Sequence, residues 1–141
     1  MEEKLTSWSS KKQNCVSTST VEAEYVAAAG CCAQILWMKN QLVDFDCVYE
    51  KIPIFCDNTS AIAISYNPVL HSRTKHIGVR YHFLRDHVMK GDIELHFIHT
   101  DDQLADIFTK PLDENRFNYL ISMLGMLNLD PANCHESSAE D

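Results

Sequence analysis

No apolar run in the chain approaches the roughly 18–20 residues a membrane-spanning helix needs, so no membrane partner is expected. The opening residues, MEEKLTSW, have none of the regions of a secretory signal. Six cysteines (15, 31, 32, 47, 56 and 134) show no C-x-x-C pair and no regular spacing. Together these absences predict free thiols in a reducing, intracellular setting, cytoplasmic or nuclear, rather than a disulfide framework. No G-x-S-x-G elbow is present, which removes the commonest serine-hydrolase pattern. Zinc fares little better. His82 and His87 are five apart on a helical stretch, about 140° from each other, and His96 and His99 would face opposite sides of a strand. No internal repeat or low-complexity linker breaks the chain.

What is present suits one soluble domain: 141 residues, 45% hydrophobic and 23% charged. The formal net charge of −8 argues against bulk attraction to nucleic acid, but it is unevenly spread. Residues 71–90 carry Arg73, Lys75, Arg80, Arg85 and Lys90 with four histidines against one acid, Asp86. From Asp101 onward nine acids stand against two bases. A local basic patch can contact phosphates on an acidic protein; a solvated helix face balanced by an acidic tail explains the same charges.

The chain is organised around Ile52–Asn58, IPIFCDN. A short apolar run bounded by turn signals reads as a buried strand, and Asp57 sits at its carboxyl end, where α/β sheets hold their ligands. Upstream, Trp8–Val16 reads as a strand or part of one. Ser19 and Glu22 then form a capping box that opens a long helix. Stepping about 100° per residue from Val21 puts Tyr25, Ala28, Cys32, Ile35, Leu36 and Val43 on one stripe. Glu24 falls at the edge of that stripe and Glu22 towards solvent. Glu22 is explained as a cap; Glu24 faces inward, unless it is a rim glutamate reaching past the stripe to water.

After a loop at Asp44–Glu50 and the central strand, a short helix runs from about Asn58 to Tyr66, ended by Asn67-Pro68. A second amphipathic helix carries Ile77, Tyr81, Leu84 and Val88 on its inner face, with Arg80, Arg85 and His87 outside, and stops at Gly91. Ile93–Ile98 alternates as a strand. Thr100 and Gln103 form another capping box, which predicts a helix with Asp106 in its second turn. Asp113 can cap a last helix with Phe117, Leu120, Ile121 and Leu124 on its stripe. Residues 130–141 are polar, acidic and aperiodic, as in a disordered tail. The order predicts an α/β protein with strands 52–57 and 93–98 in one sheet.

Glu24, Asp57 and Asp106 make a hard-oxygen set suited to Mg²⁺ or Mn²⁺. Two-metal hydrolysis of a phosphodiester needs such acids, one ion activating water and the other stabilising the leaving oxygen. Among 20 Asp and Glu many triples could be drawn, so residue types alone do not select this one.

Five blocks select it further: SWSSKKQ (7–13), STSTVEAEY (17–25), CDNTSAI (56–62), NPVLHSRTKHIGVRYHFLRD (67–86) and DQLADIFTKPL (102–112). In this order they resemble the ribonuclease H domain of copia-type LTR retrotransposons, which follows the reverse transcriptase in the Pol polyprotein. The resemblance spans about Ser7 to Leu129. It implies a ribonuclease H-like mixed sheet flanked by helices, and cleavage of the RNA strand of an RNA–DNA hybrid with two divalent ions and four acids. Carried over, the second acid is Glu24, the third Asp57 and the fourth Asp106, as catalytic and metal-holding residues. The hybrid would be recognised through backbone shape and 2′-hydroxyls, with Arg73, Lys75, His76 and Arg80 as candidate contacts.

The chain departs from that pattern at its start. The family's first acid lies in a D-A-D-W-A-like block on the first strand, and neither that block nor the first two strands is found. The expectation is a domain over residues 7–129, missing those strands, between an unmatched 1–6 and the acidic tail. Without the first acid, hydrolysis is expected to be lost or impaired and the two-ion site incomplete. A non-catalytic nucleic-acid-binding module and a degenerate element product remain alternatives.

Overall fold

Ser19 caps the long helix as expected: its hydroxyl accepts the Glu22 backbone N–H at 3.3 Å and opens α1 (Thr20–Val43). The computed structural model describes residues 5, 7–10, 19–66 and 78–126. It comprises two units, residues 12–103 and residues 1–11 with 104–141.

In the first unit α1 is followed by β1 (Ile52–Cys56), α2 (Thr59–Ser65), α3 (Gly78–Lys90) and β2 (Ile93–Phe97). β1 and β2 pair in parallel, Ile52 opposite Ile93 and Cys56 opposite Phe97. A parallel pair needs a crossover, and α2 and α3 lie in that connection. Ile54, Cys56, Ile93 and Leu95 turn inward onto Tyr25, Ala28, Ala29 and Cys32 of α1 and Tyr81 and Leu84 of α3. Period 2 along the strands and period 3.6 along the helices thus meet in one core. The Tyr25 hydroxyl donates to the Tyr81 carbonyl at 2.9 Å, which satisfies the one polar end of a buried ring. Burial, with Tyr81 adding, pushes that phenol far above its ordinary range.

The caps explain the short elements. The Asn58 side chain accepts the Ala61 N–H at 3.0 Å and starts α2. Gly91, at φ +80°, ends α3 in the left-handed region that glycine enters without strain. In the second unit the Asp113 carboxylate accepts the Arg116 N–H at 3.0 Å and starts α4 (Glu114–Met123), which buries Leu120 with Leu124 just beyond it. The described cysteines, Cys31, Cys32, Cys47 and Cys56, are free thiols.

Several expectations change. Glu22 is buried, not solvent-facing: Val26 and Ala29 are also covered, so the apolar arc of α1 is wider than the stripe drawn from Val21. At the other end Val43 is exposed. No helix opens with a Thr100–Gln103 box. The chain makes two 3₁₀ turns, Thr100–Asp102 and Leu104–Phe108, and the side chain of the N-cap residue, His99, makes no capping bond. Phe117 is exposed rather than part of the α4 stripe. The two expected strands share one sheet, which among the described residues is this parallel pair. Residues 7–10 are not strand; the rest of the expected first strand, Ile77 and the tail lie outside the described residues. No described helix is long and apolar enough to cross a membrane.

Candidate functional site

Glu24 stands in the second turn of α1, one residue before buried Tyr25, so the packing of Tyr25 against α3 fixes where its carboxylate emerges. Asp57 follows the last residue of β1 and precedes the cap of α2. The inward alternation of Ile54 and Cys56 carries the strand's end toward the same helix face. The result is a cluster in which one carboxylate oxygen of Glu24, one of Asp57 and the Cys56 Sγ all lie within 4.8 Å of one another. Both carboxylates are half-buried and the thiol is buried.

The electrostatics of this cluster sort its donors. Burial pushes the Cys56 thiol up from its ordinary value; a backbone hydrogen bond at Asn58 opposes the shift, and the Glu24 and Asp57 carboxylates add to it. A thiol held protonated beside two carboxylates leaves the oxygens as the ready ligands. Two oxygens suit a hard divalent ion better than a soft one. Sequence reasoning passed over Cys56, although the strand's alternation and its place beside Asp57 would have put it on the same inward side.

Asp106 belongs to the second unit. It is buried in the Leu104–Phe108 turn, with Oδ1 3.0 Å from Lys110 Nζ and Oδ2 2.9 Å from Arg116 Nη2. Its carbonyl also accepts the Lys110 N–H at 2.9 Å. The structure therefore brings Glu24 and Asp57 together, and gives Asp106 two cations as partners. The Lys110 pairing was legible at i,i+4 spacing; the Arg116 pairing, ten residues on, had no local signal. Arg80 is exposed on α3, whereas Arg73, Lys75 and His76 lie outside the described residues.

No family model matches the chain, and no solved structure matches it. Three curated relatives are retrovirus-related Pol polyproteins from transposons. That of transposon RE1 from Arabidopsis thaliana is 40% identical over 127 residues, 89% of this chain and 9% of the polyprotein. That of transposon TNT 1-94 from Nicotiana tabacum is 39% identical over 120 residues, 85% of this chain and 9% of the polyprotein. That of transposon RE2, again from Arabidopsis thaliana, is 39% identical over 127 residues, 89% and 9% in the same terms. Most of the chain is thus similar to one segment of transposon Pol polyproteins, and it spans 9% of their length.

Proposed function

We propose, from this likeness to a segment of transposon Pol polyproteins, that the chain is a ribonuclease H-like segment of a copia-type element. In that setting it would be fused to a reverse transcriptase and act on RNA–DNA hybrids. The convergence of Glu24 and Asp57 carries the reading. Two acids that the resemblance marks for one role come from distant parts of the chain and meet at the end of a parallel strand.

Glu24 and Asp57 would hold a divalent cation, Mg²⁺ or Mn²⁺, through their oxygens. When bound, such ions activate a water and stabilise the leaving oxygen of a phosphodiester. The chain's own contribution is to fix the two carboxylates through the Tyr25 packing and the Asn58 cap, and to keep the neighbouring thiol protonated. Asp106 is the further acid named by the resemblance, in a setting where Lys110 and Arg116 neutralise it. The 141 residues supply three of the four acids, so hydrolysis by this chain alone should be weak or absent. The α3 face with exposed Arg80 supports a second reading, hybrid binding without cleavage.

Mn²⁺ titration of the purified chain, alongside cleavage of a labelled RNA–DNA hybrid, tests the assignment. Saturable Mn²⁺ binding that weakens about tenfold or more in Asp57→Asn and in Glu24→Gln is expected, with little cleavage. Mn²⁺ affinity unchanged by both substitutions would remove the metal assignment. Salt-sensitive hybrid binding that needs no metal would favour the binding module instead.

A further inference from the structure

Cys56 is the one donor of the Glu24–Asp57 cluster that a hard ion leaves without a task. The alternation of β1 turns it inward, only 5% exposed, with its thiol donating to the Asn58 carbonyl at 3.6 Å. Its Sγ still lies within 4.8 Å of one oxygen of Glu24 and one of Asp57. Cys31, Cys32 and Cys47 join no comparable group of three donors among the described residues.

Bond lengths decide whether one ion can take all three. Zinc binds carboxylate oxygen at about 2.0–2.2 Å and thiolate sulfur at about 2.3 Å, so donors around a tetrahedral ion stand about 3.5 Å apart. The cluster is wider than that by at most about 1 Å, a gap that side-chain rotation closes once a cation draws the two carboxylates in. The ion's chemistry then decides which donors it uses. Mg²⁺ and Mn²⁺ take carboxylate oxygens and water and leave a thiol aside. A thiophilic ion takes the sulfur as thiolate, and the thiol proton passes to solvent. Three protein donors leave one tetrahedral position for water.

We propose that Cys56 makes this a site of competition between metals: a thiophilic divalent ion, Zn²⁺ or Cd²⁺, binds Glu24, Asp57 and the Cys56 sulfur together and displaces the hard ion. The inference rests on Glu24 and Asp57 being cation ligands, and adds to that role a means of regulation by soft metal.

Release of Mn²⁺ from the full chain, followed by electron paramagnetic resonance, reads the result, because zinc held at other thiols displaces no Mn²⁺. Zn²⁺ should release Mn²⁺ from the native chain. Cys56→Ser keeps a donor for the Asn58 carbonyl and should leave Mn²⁺ affinity within about twofold of native. It should need at least about tenfold more Zn²⁺ for half-release, equivalent to about 1.4 kcal/mol. Cd²⁺ should add a sulfur-to-metal charge-transfer absorption that shrinks in Cys56→Ser. Cys56→Ala takes over where the serine variant does not fold. Equal Zn²⁺ competition in native and variant chains would overturn the proposal, as would a variant that loses Mn²⁺ and Zn²⁺ affinity alike. A native chain that binds no Mn²⁺ would instead sink the hard-ion assignment. The Cd²⁺ absorption would then decide alone: loss in Cys56→Ser and weakening in Asp57→Asn support the soft-metal site, and its absence overturns it.

Discussion

Asp106 and the Glu24–Asp57 pair are two opposite solutions to placing carboxylates in a fold. At Asp106 a buried charge is compensated: each oxygen has its own cation, and Arg116 is itself fixed in the first turn of α4 by the Asp113 cap. At Glu24 and Asp57 two carboxylates are driven together beside a protonated thiol, a convergence of like charge that packing alone does not need. The first arrangement secures a helix to the turn before it. The second resembles a site held ready for a cation, because local conflict with the rules of stability tends to mark function.

The largest effect that separates the two should come from Arg116→Ala. It leaves a carboxylate only 6% exposed with one of its two cations removed. Breaking a buried pair from one side costs about 3–5 kcal/mol, because the remaining charge stays desolvated. Urea unfolding should show a loss near the lower end of that range, since Lys110 still contacts Oδ1. Lys110→Ala should cost less than about 1 kcal/mol, its ammonium side being 45% exposed and screened by solvent. Equal losses from the two variants would mean that Asp106 does not depend on its buried partner.

Asp57→Asn should behave in the opposite sense. Relief of repulsion from Glu24 is offset by losing an anion just before the α2 cap, so stability should stay within about 1 kcal/mol of the native chain. Mn²⁺ affinity should fall by about tenfold or more, equivalent to about 1.4 kcal/mol. A chain that loses stability as Arg116→Ala does, while keeping its Mn²⁺ affinity, would erase the distinction and make Asp57 structural.

Both settings were partly legible in the residues. Ser19, Asn58, Asp113 and Gly91 announce element ends through bonds or dihedrals made within a few residues, so α1, α2, α3 and α4 could be read locally. Glu24 and Asp57 were readable as positions, a helix-stripe edge and a strand end. Where reading failed, a distant partner decided. Gln103 looks like half of a capping box, but a carbonyl 48 positions away takes its amide. Glu22 looks like a solvated cap, but α1 buries a wider arc than one stripe suggests, and how many elements cover a helix is not written in that helix. Arg116 reaches Asp106 across a turn whose 3₁₀ geometry no periodicity signalled.

The smallest effect belongs to a third acidic setting that calibrates the other two. Asp92 holds His87 Nδ1 at 2.7 Å at the α3–β2 junction, with a side chain 34% exposed. The hydrogen bond from His87 is the main cause that sets its carboxyl below the ordinary aspartate value; slight burial opposes the shift, and the charges of His87, Lys39 and Lys90 add to it. A carboxyl lowered in the folded state contributes stability above its unfolded pKa, and that contribution is lost as pH falls through the folded value. At this exposure it is worth a few tenths of a kcal/mol at neutral pH. Carboxyl-carbon NMR titration should find Asp92 below ordinary aspartate and return it toward that range in His87→Asn. An Asp92 midpoint indifferent to His87→Asn would show that solvent cancels the pair, and that burial is what lets cations matter at Asp106.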